Sequence, residues 1–268
     1  MSAIKIIFPG ELLALNPESS LFAHGFGLFE TIRLRAGYLE LWDGHWQRLT
    51  SSARELGIAC PYDNADVLQA VRRLAAKLPI DSIVKLSLFK EGQGAKLAVY
   101  SRPVNPPPES VGLVMEGASP INEYSPLAGH KTHNYLENLL VLEAAREAGC
   151  FDCLRLNTKG EIAEGAISNL FFLRDGRLHT PSRQSGLLPG VVRQELVQGL
   201  DVQEGSYQLS DLRSADAVFL TNSSIGLQPV DWLLSRGEQF ELSSRTDGHY
   251  QRMFEWLTDR ISATSVKI

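Results

Sequence analysis

Cysteine is scarce in this chain: Cys60, Cys150 and Cys153 are the only three among 268 residues. Three thiols cannot staple a fold of that size, so a reducing compartment, the cytoplasm, is expected. No apolar run approaches the roughly 18 residues needed to cross a bilayer. The opening Met1–Phe8 carries no basic leader and no small-residue cleavage site, and reads as a strand. Charge is spread thin as well. Lys and Arg number 26 against 31 Asp and Glu, a net −5 with no block of one sign, which argues against a nucleic-acid or membrane partner. GxxxxGK[ST], a GxGxxG after a strand, GxSxG and HExxH are all missing, so phosphate-loop, dinucleotide, hydrolase-elbow and zinc-protease chemistries lose their main signals. The six histidines show no spacing suited to one helix face, and Cys150-Phe-Asp-Cys153 has no second pair. No metal site is expected, and the two cysteines read as small residues packed where a helix hands over to a strand.

What is present is an ordinary globular composition, 44% hydrophobic and 21% charged, with a length above the usual single-domain mode. The first third alternates strand and turn. Ala3–Phe8 is an apolar run; Leu28–Leu34 and Tyr38–Trp42 form a hairpin pattern about Arg35-Ala36-Gly37. Asp43 is placed to cap a helix with Trp46, Leu49, Ala53 and Leu56 on one face. A second helix is expected over Asp66–Leu78, and a strand pair over Ile83–Phe89 and Lys96–Tyr100. Four prolines within Arg102–Glu109 make the best boundary in the chain, dividing a domain of residues 1–105 from a larger one of 106–268. Beyond it come a strand (Val111–Met115), a loop (Ala118–His130), a helix (Asn134–Ala148), strands at Cys153–Leu156, Asn169–Leu173 and Ala217–Leu220, a helix after Pro189-Gly190, and a last helix over His249–Ile261. Two mixed α/β domains flanking a cleft is the reading from pattern alone.

The chain holds eight lysines, and two stand out. Lys85 lies inside an otherwise apolar strand. Lys131 lies between a Pro- and Gly-bearing loop and a helix. A lysine in a cleft can lose its proton easily and act as an amine nucleophile. Downstream, Glu164 sits in a small-residue stretch just before a strand. Leu188-Pro-Gly190 opens a helix whose first N–H groups could hold an anion, and Thr221-Asn-Ser-Ser224 offers hydroxyls and amides as a second cradle. A lysine, a carboxylate and two anion cradles are what pyridoxal phosphate requires.

Six blocks, in order, resemble the fold-type IV pyridoxal-phosphate enzymes, the class IV aminotransferase family. They are Gly27-Leu-Phe-Glu-Thr-Ile-Arg33, His45-Trp-Gln-Arg48-Leu, Lys131-Thr-His-Asn-Tyr-Leu-Glu137, Glu164-Gly-Ala-Ile-Ser-Asn169-Leu-Phe, Leu188-Pro-Gly-Val-Val-Arg193 and Thr221-Asn-Ser-Ser-Ile-Gly-Leu-Gln-Pro-Val230. The resemblance implies a two-domain architecture with the cofactor in the interdomain cleft, and a homodimer. It implies Lys131 as Schiff-base lysine and proton shuttle, and Glu164 as partner of the pyridine nitrogen. Arg48, Val191, Val192, Ser223 and Ser224 would hold the phosphate, and Tyr135 would stand near the cofactor's phenolic oxygen. Within the family, Lys131-x-x-Asn134-x-Leu136-Glu137, Ile83-Val-Lys85-Leu and Thr221-Asn-Ser look most like the 4-amino-4-deoxychorismate lyases, which release pyruvate and 4-aminobenzoate for folate synthesis. Lys85 and Thr31 are then candidates for the substrate's carboxylates, with Thr31 also near the chemistry. Transamination of branched-chain or D-amino acids is the alternative. The lead-in Asn16–Ala23, with Phe26 where Asp is common, departs from the family pattern on the substrate side.

Overall fold

The computed structural model describes residues 4–12, 14, 16–115, 117 and 119–268. Ala3, where the first expected strand begins, and Ala118, where the expected loop begins, lie outside them. The chain divides into two compact units. The first comprises residues 1–105, 130–134 and 261–268; the second comprises 106–129 and 135–260.

The first unit is one six-stranded sheet and its helices. In chain order it contains β1 (Lys5–Ile6), α1 (Ser20–His24), β2 (Gly27–Arg35), β3 (Tyr38–Leu39), α2 (Trp42–Glu55), α3 (Asn64–Ala75), β4 (Asp81–Glu91) and β5 (Gly94–Arg102). The sheet order is β1-β5-β4-β2-β3 followed by the terminal strand Val266–Lys267. Period-two alternation gives the sheet two different faces. Leu28, Ile32 and Leu34 of β2 join Val84, Leu86 and Leu88 of β4 and Leu97 and Val99 of β5 in a core against α2 and α3. The hairpin is shorter than the sequence implies. Its return strand is only Tyr38–Leu39, and α2 starts at Trp42 after Leu41, which sits at φ 52° with no side-chain cap. Asp43 therefore lies in the first turn of α2, where its charge favours the helix dipole, and is not the cap. Asp63 does cap α3, accepting from the Asp66 N–H at 2.8 Å.

The second unit has two five-stranded sheets. Its elements are β6 (Gly112–Val114), α4 (Leu136–Glu147), β7 (Asp152–Leu156), β8 (Ile162–Gly165), β9 (Asn169–Arg174), β10 (Arg177–Pro181), α5 (Val191–Gly199), β11 (Val202–Gly205), α6 (Leu209–Arg213), β12 (Ala217–Asn222), β13 (Gly226–Pro229), β14 (Trp232–Ser235), β15 (Glu238–Glu241) and α7 (Gly248–Thr264), whose last turn from residue 261 belongs to the first unit. One sheet runs β11-β10-β9-β12-β13, the other β15-β14-β6-β7-β8. Leu154 and Ile162 from one sheet pack with Leu170, Phe172, Val218 and Leu220 from the other in a shared core. Cys150 and Cys153 are buried with Val141, Leu142, Ala145 and Ala166 beneath α4, and neither forms a disulfide. Burial pushes the Cys150 thiol up to about 11, so it behaves as a packed apolar group.

Candidate functional site

The polar face of the first unit's sheet gathers the lysines. Register sets Thr31 opposite Lys85, Phe29 opposite Ser87, and Lys85 opposite Tyr100. All of these point away from the α2–α3 core. Segment 130–134 adds to this face. Beyond its pairing with β4, β2 has an open edge at Gly27–Phe29, and the lysine segment fills it: the Phe29 N–H donates to Lys131 O, and the His133 N–H to Gly27 O, both at 2.9 Å. A side chain at Gly27 would meet Leu88 O and the His133 ring within 3.0 Å, so this approach requires glycine. Alternation then sends Lys131 and His133 to the face that carries Phe29 and Ser87. The Lys131 Nζ lies 4.4 Å from the Phe29 ring centroid, and His133 Nε2 lies 2.7 Å from Ser87 Oγ. His130, one residue before the lysine, ties the segment to α2 through Ser52 Oγ at 2.9 Å.

Lys85 is no solvated strand lysine. Its Nζ donates to Thr31 Oγ1 at 2.6 Å and stands 4.0 Å from the same Phe29 centroid. Burial, with the positive charges of Lys131 and Arg102, lowers it to about 7; Glu30 acts the other way. Burial and Lys85 likewise bring His133 down to about 4, so its ring is neutral at pH 7 and shares a hydrogen bond with the Ser87 hydroxyl. A cavity of about 360 Å³ opens beside this face, lined by Ser87, Tyr100, Ser101 and His133, with Phe8 and Leu21 from the lead-in.

Arg48 is held from the opposite face. Glu30, 1% exposed, breaks the apolar series Leu28, Ile32, Leu34 on the helix side of β2. Its carboxylate receives Arg48 Nε at 2.8 Å, Arg48 Nη2 at 2.6 Å and pairs with His45 Nδ1 at 2.7 Å. Burial alone would raise the Glu30 carboxyl, but Arg48 and His45 outweigh it and hold it well below the usual range. Neither Glu30 nor His45 carries a role in the sequence reading. A lone acid on the apolar face of a strand is the signal that marks them.

The second unit carries the other candidates. Glu164, on β8, accepts at Oε2 from Asn169 Nδ2 at 3.1 Å and from the Leu188 N–H at 3.0 Å. Asn169 also donates to Leu188 O at 2.9 Å, so strand β9 and the approach to α5 are both tied to this carboxylate. Helix α5 starts with Val191 and Val192, both buried, and its N-cap Gly190 provides no side-chain cap. A side chain at Gly190 would strike Asn169 Oδ1. In the loop after β12, Asn222 Oδ1 accepts from the Ser224 and Ile225 N–H groups at 2.8 and 3.0 Å. Those two amides are thus engaged within the loop. Tyr135 donates its hydroxyl to Ala166 O at 3.4 Å. Lys131, Thr31, Arg48 and Lys85 therefore fall in the first unit, and Tyr135, Glu164, Val191, Val192, Ser223 and Ser224 in the second. Among the described residues no group of three His, Cys, Asp or Glu is placed to hold a metal ion, and no helix is long and apolar enough to cross a membrane.

The profile of the class IV amino-transferases matches residues 27–232. The chain is 30% identical over 246 residues to an aminodeoxychorismate lyase of Bacillus subtilis, covering 80% of each. It is 26% identical over 234 residues to a D-alanine aminotransferase of Listeria monocytogenes, again covering 80% of each. A crystal structure of the 4-amino-4-deoxychorismate lyase of Pseudomonas aeruginosa superposes with a TM-score of 0.77 at 28% identity, over 94% of this chain and 97% of that one. The chain belongs to the class IV aminotransferase family, the fold-type IV enzymes that depend on pyridoxal phosphate.

Proposed function

We propose that this chain is a 4-amino-4-deoxychorismate lyase, releasing pyruvate from its substrate to leave 4-aminobenzoate. The observation that carries the reading is the Lys85–Thr31 pair on the polar sheet face that also bears Lys131. That face offers cationic and hydroxyl donors, which suit a substrate with two carboxylates. The B. subtilis and P. aeruginosa relatives bear the lyase name. A homodimer working in the cytoplasm is part of the proposal, by the family's habit.

The donor set fits pyridoxal phosphate. The phosphate would take the α5 start at Val191 and Val192, where no side chain caps the helix, together with Ser223 and Ser224. Thr221 Oγ1, just before that serine loop, is buried with no hydrogen-bond partner among the described residues, a polar atom for which a bound group would account. Glu164, already fixed by two donors, would hold a proton at the pyridine nitrogen, and Tyr135 would stand near the phenolic oxygen. When bound, the cofactor supplies a sink for the electron pair left on the substrate carbon.

The remaining work falls to side chains of this chain. Lys131, as a free amine, removes the proton from the carbon that bears the substrate's nitrogen. Lys85 holds a substrate carboxylate and donates into Thr31 Oγ1, so the Thr31 hydroxyl proton is directed elsewhere. That proton goes to the ether oxygen as the carbon–oxygen bond breaks, giving enolpyruvate, which becomes pyruvate. The Lys85 ammonium passes its proton to Thr31 Oγ1 as the hydroxyl gives up its own, so no alkoxide is left. The proton lost from carbon to Lys131 balances the one gained at oxygen, and exchange with solvent returns both lysines to their starting charge.

Purified, cofactor-loaded protein supplied with enzymatically made 4-amino-4-deoxychorismate should release 4-aminobenzoate. Lys131→Ala should cut the rate by about 10²–10⁴-fold or more, the range for a lost general base. A wild-type protein that carries the coloured cofactor yet releases none would overturn the lyase reading, and transfer of an amino group from L- or D-amino acids to 2-oxo acids would replace it.

A further inference from the structure

Asp152 opens strand β7 and is wholly buried, yet no step above uses it. Its Oδ1 accepts from the Cys153 N–H at 2.8 Å and the Ala166 N–H at 2.9 Å. Its Oδ2 accepts from Ser168 Oγ at 2.5 Å and, more distantly, from the Ile167 N–H at 3.5 Å. Three of these four donors belong to the turn 165–168, which joins Glu164 to Asn169. A side chain at Gly165 would sit 2.5 Å from Asp152 Oδ2, so the turn closes directly onto the carboxylate. Burial raises this acid to about 6, against hydrogen bonds that favour its charged form.

The outer rim of the same turn reaches other candidate residues. Ala166 O accepts from Asn138 Nδ2 at 2.8 Å and from the Tyr135 hydroxyl. Ile167 O accepts from Asn222 Nδ2 at 3.1 Å, and Asn222 Oδ1 in turn fixes the Ser224 and Ile225 amides. One buried carboxylate thus fixes the inside of a turn whose ends are Glu164 and Asn169 and whose outside holds Tyr135 and the serine loop.

We infer that Asp152 is a positioning residue: by clamping the turn 165–168 it sets the spacing between Glu164 and the Asn222–Ser224 loop, and so matches the pyridine-nitrogen contact to the phosphate contact. The inference rests on the roles proposed for Glu164, Ser223 and Ser224. A purely structural acid would stabilise the fold without selectively changing cofactor affinity. An acid that sets the spacing of two contacts changes affinity in a folded protein.

The test is titration of the cofactor-free protein with pyridoxal phosphate, followed by the visible absorption of the bound form. Asp152→Asn keeps the size and the Oδ1 acceptor but puts an NH₂ group where Oδ2 accepts from Ser168 Oγ and the Ile167 N–H. We expect it to fold and to bind pyridoxal phosphate at least tenfold more weakly. Leu212→Ala, a core change elsewhere in the same unit, serves as the control for lost stability and should bind as wild type does. Asn222→Ala should weaken binding too, and the double variant should fall short of the product of the single effects, because both act through one turn. Wild-type affinity in Asp152→Asn, or an equal loss in Leu212→Ala at matched thermal midpoint, would overturn the inference alone. Failure of the wild-type protein to take up pyridoxal phosphate would overturn the functional reading and this inference with it.

Discussion

The two units hold their share of the candidate residues by different means. In the first, ionisable side chains lie on the two faces of one sheet: Lys85 and Lys131 against Phe29 on one, Glu30 with Arg48 and His45 on the other. In the second, the carboxylate of Glu164 and the start of α5 are set by amides, an Asn side chain and turns. The first half is therefore governed by electrostatics and responds to pH. The second is set by amide and turn geometry around one buried acid, Asp152, and responds chiefly to shape.

The sharpest way to break this contrast is Glu30→Ala. It would leave the Arg48 guanidinium and His45 buried without their carboxylate, and removing one member of such a pair costs about 3–5 kcal/mol. Chemical denaturation should report a loss of that size. A loss below about 1 kcal/mol would show that charge does not organise the first half. Gly190→Ala probes the other half. Its methyl group would displace Asn169 and, with it, a donor to Glu164, so cofactor affinity should fall by roughly tenfold. That loss should be flat from pH 6 to 9; a pH-dependent loss would blur the distinction.

The smallest effect belongs to Lys85. Its ammonium gives way to the neutral amine as pH rises past about 7, so kcat/KM for the anionic substrate should fall severalfold between pH 7 and 9. Lys85→Arg, always charged, should flatten that limb. Linkage gives a second readout. The folded value lies below the ordinary 10.5, so between about pH 7 and 10.5 the unfolded chain binds more protons, and stability attributable to this residue rises with pH across that window. Lys85→Met should remove the slope.

Much of this was legible from residues alone, for reasons that differ by element. Strands β2, β4 and β5 show in their alternation, and one passage between units, Asn105–Pro106, falls within a proline run that no central element tolerates, whereas 130–134 and 261–268, expected in the second domain, belong to the first unit. The lysine and the acid stand out by type and setting. The clamp on Arg48 was less legible because Glu30 is informative only once the face it breaks is recognised. Asp152 has no local signal: its donors lie next to it and 14–16 residues downstream, and only the pairing of β7 with β8 brings them together. The short return strand at Tyr38–Leu39 was misjudged because Tyr-Leu-Glu-Leu-Trp alternates like a strand while Trp42 is needed in the helix-side core.

The seating of segment 130–134 on the edge of β2 works like a reading frame. Two backbone hydrogen bonds, spaced around the bridge of Leu28 with Thr132, decide which residues of the segment look toward Phe29. A shift of one position would send the buried Thr132 to that face and the amine to the core side. On the role proposed for Lys131, lengthening the preceding loop should therefore leave activity intact as long as the bridge re-forms in phase, whereas a single insertion between Lys131 and His133 should abolish it while leaving every chemical group in place.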